Sequence, residues 1–171
     1  NLFHACMGRP YTELFDILNV LGIRSTNPMH HDCHDYHDCS FVNIPVRGIS
    51  LCFDGAAPRE HRNLACVHVF DGKTSREYSP CDLPLPMALF LGMTGQQVVK
   101  SLGEPDKKSG GGRKGAITII FTELGLQFHF AGIFWDNPDN RVCSIAFFGP
   151  QRIANEDAPL EKDWRKRRLG K

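Results

Sequence analysis

The sequence predicts an α+β protein built from two helix-strand-strand-strand units, with antiparallel sheet covered on one side by helices in a pseudo-twofold arrangement. Three observations carry this. Two windows space apolar residues as a helix does, six windows alternate apolar and polar residues as strands do, and the second group repeats the order of the first.

The first helix is expected from about Tyr11 to Leu21, where Leu14, Ile17, Leu18 and Leu21 form one apolar stripe ended by Gly22. Ser40 to Ile44 and Ile49 to Phe53 then flank a turn from Pro45 to Gly48, a hairpin pattern, and Leu64 to Phe70 forms a third strand closing at Asp71-Gly72. The second helix is expected from about Thr94 to Leu102. Thr94 is its N-cap, Gln97 stands where a capping box needs it, Val98, Val99 and Leu102 make its apolar face, and Gly103 and Pro105 end it. Ile117 to Phe121, Leu126 to Phe130 and Arg141 to Phe148 complete the second set of strands.

The two halves also agree in detail. Gly48-Ile49-Ser50-Leu51-Cys52-Phe53 aligns with Gly125-Leu126-Gln127-Phe128-His129-Phe130, so a glycine-led strand recurs with the same apolar parity. We therefore expect one domain over residues 1–149, made of repeats at about 8–72 and 88–149. The proline-rich stretch 79–86 joins them, and a charged tail follows over residues 150–171.

Composition narrows the function classes. At 171 residues and 42% hydrophobic content the chain can bury a core without staples. No run approaches the roughly 18–20 apolar residues of a membrane helix, and the start, Asn1 to Cys6, lacks the pattern of a secretory signal. No membrane partner is expected, and the expected compartment is the cytoplasm. Seven cysteines without a C-x-x-C pair read as reduced thiols. A formal charge of +1 argues against a nucleic-acid partner. Removing Arg165, Lys166, Arg167, Arg168 and Lys171 of the tail leaves the remainder at −4. No nucleophile elbow, zinc-protease helix or dinucleotide fingerprint is present, so neither enzyme activity nor a cofactor is expected.

Leu83-Pro84-Leu85-Pro86, Gly92-Met93-Thr94, Val98 and Leu102-Gly103-Glu104-Pro105-Asp106 together resemble the core motif of bacterial immunity proteins encoded beside polymorphic toxins, pyocin-type bacteriocins included. Gly8 to Leu14 and Gly48 to Asp54 are similar to the same family, and the likeness runs over about residues 8–149. The helix motif is also similar to BamE-type lipoproteins and to a tandem autophagy-associated family. The resemblance implies a non-catalytic protein that binds and neutralises a cognate toxin domain. A scaffold module of tandem helix-sheet type is the alternative, and a metal- or thiol-dependent enzyme a third. A homodimer stays open.

Two segments stand out as partner-binding candidates. In His30 to Cys39, Asp32, His34, Asp35, Tyr36, His37 and Asp38 offer charged and aromatic contacts. The same run holds the metal-capable His31, Cys33, His34, His37 and Cys39, but all in one short stretch, whereas closed zinc sites draw ligands from two elements, so no metal is expected. A polar loop leading into the next strand explains the run as well. Around the second turn, Trp135, Asp136, Asn137 and Asp139 combine an anchor ring with polar neighbours, although Trp135 would equally serve to cap the sheet core. Lys107 to Gly115 fits no phosphate-loop motif and is expected as a solvated hairpin loop. Cys66 and His68 share a strand face, although such residues are more often core or sheet-surface positions.

Overall fold

The computed structural model describes residues 1–23, 32–56 and 58–149. The expected tail over 150–171 and the metal candidate His31 lie outside the described residues. The element order is α1 (Leu2–Ala5), α2 (Leu14–Val20), β1 (Asp32–Asp35), β2 (Cys39–Ile44), β3 (Ile49–Asp54), β4 (Asn63–Phe70), α3 (Gly95–Leu102), β5 (Lys107–Ser109), β6 (Thr118–Phe121), β7 (Leu126–Phe130) and β8 (Val142–Phe148). All eight strands form one antiparallel sheet in the order β1-β2-β3-β4-β8-β7-β6-β5. The fold is α+β, with few and short helices.

The expected first helix is shorter than its stripe suggests. Pro10 holds an extended backbone and supplies no side-chain cap, so the chain enters through a tight 3-10 turn at Tyr11–Glu13 and becomes α-helical only at Leu14. The second helix starts as expected. The Thr94 hydroxyl accepts from the Gln97 amide while the Gln97 side chain accepts from the Thr94 N–H, a closed capping box.

Strand alternation decides the faces. Cross-strand neighbours Val42 and Leu51, Leu51 and Val67, Val67 and Phe147, Phe147 and Leu126, and Leu126 and Phe121 run in register across the sheet on one side. Phe3 of α1, Ile17 and Leu18 of α2, and Val98 of α3 belong to the same buried cluster as this apolar face. Phe3 stacks on Phe147 with ring centroids 4.1 Å apart. The opposite face carries Asn43, Ser50, Cys52, Cys66, His68, Gln127, His129 and Ser144, and among them Tyr78 stacks on Phe70 and donates to Asn43 Oδ1.

Gly48 and Gly125, the glycines that lead β3 and β7, both take left-handed backbone, with φ of 64° and 61°. Each lies against another backbone: an added Cβ would stand 2.2 Å from the Ser79 carbonyl oxygen at Gly48 and 2.1 Å from that of Phe148 at Gly125. Only glycine satisfies both demands. The connector 79–86 has no regular structure. It is pinned by Ser79 N–H to the Pro45 carbonyl and Cys81 N–H to that of Phe70, and it packs Leu83 and Leu85 against the core.

β1 and β5 are strands where loops were expected. Both are short and polar and lie at the two outer edges of the sheet, so neither shows the alternation of a half-buried strand.

Candidate partner-binding surfaces

The two candidate segments lie apart: the His-Asp run is on the edge strand β1, whereas the Trp135 loop joins β7 to β8 and reaches towards the glycine-rich stretch after β5, at the other edge. Four to five strand spacings of about 4.8 Å separate β1 from β8 and β7, roughly 19–24 Å, so the two are distinct surfaces and not one patch.

At the first edge, strand geometry splits the His-Asp run. In β1, Asp32 and His34 face one side of the sheet and Cys33 and Asp35 the other, and the chain then turns at Tyr36–Asp38 into β2. The run's charges are largely met from within. His34 Nε2 lies 2.6 Å from Asp32 Oδ2, and Asp35 accepts from the Ser40 hydroxyl and pairs with Arg59 at 3.2 Å. Cys33 contacts the Tyr11 hydroxyl at 3.9 Å, and Cys39 is buried. Cys33, His34, His37 and Cys39 therefore do not converge, and among the described residues no three His, Cys, Asp or Glu side chains are gathered to hold a metal.

Arg62, which sequence reasoning passed over, organises this edge. It is 6% exposed; its Nη2 donates to the carbonyls of Tyr36 at 2.8 Å and His37 at 3.1 Å, and its Nη1 donates to Ser40 Oγ at 2.6 Å. Arginine serves here because its fork reaches several acceptors at once. Its only sequence signal is a cation opening the Leu64 strand. Arg62→Met is expected to cost about 2–3 kcal/mol in urea unfolding, because two turn carbonyls lose a buried donor. Amide exchange at Tyr36 should quicken in parallel; wild-type stability in the variant would show that the turn holds itself.

At the second edge, Ile133, Phe134 and Trp135 are 38%, 61% and 51% exposed, three consecutive large apolar side chains in one loop. Trp135 is not a core cap. The loop is clamped at its base by Asn140, itself buried, whose Oδ1 accepts from the Gly132 N–H at 2.7 Å and whose Nδ2 donates to the Gly132 carbonyl. Asp136, Asn137 and Asp139 are exposed, and Asn137 Oδ1 accepts from the Asp139 N–H to shape the turn. The tip is tied to the glycine-rich stretch after β5: Trp135 Nε1 donates to the Gly110 carbonyl, and Gly112 N–H to that of Ile133. A Cβ on Gly111 would come within 2.3 Å of Trp135 Nε1, so bare backbone is what lets the indole lie there.

The thiol-imidazole pair is real in geometry: Cys66 Sγ lies 3.3 Å from His68 Nε2. Its electrostatics disfavour a charged pair. Burial, with His129 nearby, pushes the His68 pKa down to about 3. At pH 7 the ring is then overwhelmingly neutral, so the pair lacks the imidazolium that sustains a reactive thiolate. The neighbouring Cys52 thiol is pushed well up by its hydrogen bond with Cys39 and by burial, which also keeps it protonated.

No helix among the described residues is long and apolar enough to cross a membrane. Compared with protein-family models, curated proteins and solved structures, the chain matches none.

Proposed function

We propose that this chain is a cytoplasmic immunity protein that binds a cognate toxin domain and holds it inactive without catalysis, meeting its partner through the Ile133–Trp135 loop. The observation that carries the binding reading is three adjacent exposed apolar side chains on a loop clamped at its base and tied at its tip. Exposed runs of this kind mark interaction sites, and a pre-ordered loop loses little entropy on docking. The motif running from Leu83 to Asp106 supports the toxin as partner. The electrostatics of Cys66 and His68 support a non-catalytic role.

On this reading the sheet is a duplication, each half led by its helix. The mirrored strand order, with β4 and β8 meeting at the centre, and the matched left-handed Gly48 and Gly125 support it. The same symmetry favours the alternative of a tandem scaffold module, which predicts a stable assembly partner and no toxic neighbour.

Co-expression with the product of the adjacent gene is expected to give a stable complex and rescue growth. Trp135→Ala is expected to weaken the complex by about 30-fold, roughly 2 kcal/mol, with an unchanged melting temperature. Failure of both complex and rescue would sink the immunity reading. A complex indifferent to Trp135→Ala would remove the loop from the interface.

A further inference from the structure

We propose that the recess beside β5 seats an acidic, extended segment of the partner, whose carboxylates meet Lys108 and Lys114 while an apolar side chain lies on Trp135. The recess holds about 650 Å³ and is lined by Lys108, Ser109, Gly110, Lys114 and Trp135. The inference rests on the reading that the Trp135 loop faces the partner, and it specifies that partner's chemistry.

Charge points to an acidic occupant. Lys107, Arg113 and Lys114 are exposed and have no ion-pair partner among the described residues. Lys108 pairs only with Glu104, at 3.2 Å, with both side chains more than half exposed. Such a surface pair contributes little and is readily exchanged for a new carboxylate. Shape points to an extended occupant. Among the described residues β5 is the outermost strand and one side of its backbone has no neighbouring strand, so an added strand would run past Lys108 towards the indole. Three residues of edge give few main-chain bonds, which leaves selectivity to the lysines and the ring.

Other occupants fit less well. The chain's own tail over residues 150–171 carries seven cations against four carboxylates, a net +3 that the lysines would repel. The acidic β1 edge of a second copy has Asp32 and Asp35 already engaged by His34, Arg59 and Ser40. Phosphate lacks the helix N-terminus that usually receives it, because the glycine-rich stretch runs on into β6.

The test uses the full chain carrying Trp164→Phe, which leaves Trp135 as the sole tryptophan. Its fluorescence is titrated with the capped peptide Glu-Phe-Glu-Val-Glu, with its lysine counterpart Lys-Phe-Lys-Val-Lys, and with inorganic phosphate. The acidic peptide is expected to give a saturable shift that salt weakens and that Lys108→Glu/Lys114→Glu weakens at least tenfold; the other two should give none. No saturable response, an equal response to the lysine peptide, a larger response to phosphate, or indifference to the double charge reversal each overturns the proposal. Because the isolated chain is titrated, these outcomes stand apart from the toxin reading, which co-expression alone decides.

Discussion

Phe147→Ala is expected to lower the unfolding free energy by about 3–5 kcal/mol, the range for emptying a fully buried aromatic site. Phe147 is wholly buried on β8, flanked in register by Val67 of β4 and Leu126 of β7. It also stacks on Phe3, so truncation removes the anchor of α1 and forfeits an aromatic contact of about 0.5–1.5 kcal/mol within that total. In a chain of this size the loss corresponds to a fall in melting temperature of roughly 6–20 °C, at about 2–4 °C per kcal/mol. Phe134→Ala is the matched control: its ring is mostly exposed, and its stability change should stay within about 0.5 kcal/mol. A loss below about 1 kcal/mol for Phe147→Ala would be incompatible with β4, β8 and β7 sharing one core across the centre of the sheet.

The central strands β3, β4 and β7 were legible because burial on one face forces alternation, whereas β8, buried along its whole length, was legible as a near-continuous apolar run. The α3 boundary was legible because its cap is local chemistry: Thr94 and Gln97 satisfy each other's backbone whatever the rest of the chain does. The edge strands were not. Asp32 to Asp35 and Lys107 to Ser109 are exposed for most of their length, so nothing in their order distinguishes a strand from a loop until a neighbour supplies the hydrogen bonds. Met87 and Ala88 were equally opaque. Both adopt left-handed backbone, at φ of 55° and 54°, without the glycine that normally announces it.

The candidate surfaces were legible as residue types and not as arrangements. Trp135 and its polar neighbours were visible, whereas Asn140, the clamp of the loop base, was not singled out. In the His-Asp run, composition offered metal-capable side chains, but all within one short stretch. Alternation along β1 disperses them, because neighbouring residues of a strand point to opposite faces. Arg62 was invisible for a different reason: its acceptors are backbone carbonyls of Tyr36 and His37, and backbone leaves no mark in a residue pattern.

Acid should destabilise the fold through His68. The ring lies on the polar face of β4, stacks on Phe70, and has Cys66 and His129 as its titratable neighbours. Burial lowers its pKa from 6.5 to about 3 in the folded chain. The unfolded chain therefore binds a proton that the folded chain refuses. Stability is fully present above pH 6.5 and is lost as the pH falls towards 3, by up to about 1.4 kcal/mol for each unit. Two units, to pH 4.5, would remove about 2.7 kcal/mol; part of the ring stays accessible to water, so about 2 kcal/mol is the expected loss. His68→Gln keeps a polar side chain that does not titrate. Urea unfolding of both proteins at pH 7 and pH 4.5 isolates the His68 share, because the remaining histidines and carboxylates contribute alike to each. The stability difference between wild type and variant should move by about 2 kcal/mol in favour of the variant at the lower pH. Parallel losses in the two proteins would mean that His68 takes up its proton in the folded state as readily as in the unfolded one. The Cys66–His68 pair would then be able to carry the imidazolium that a neutral ring denies it.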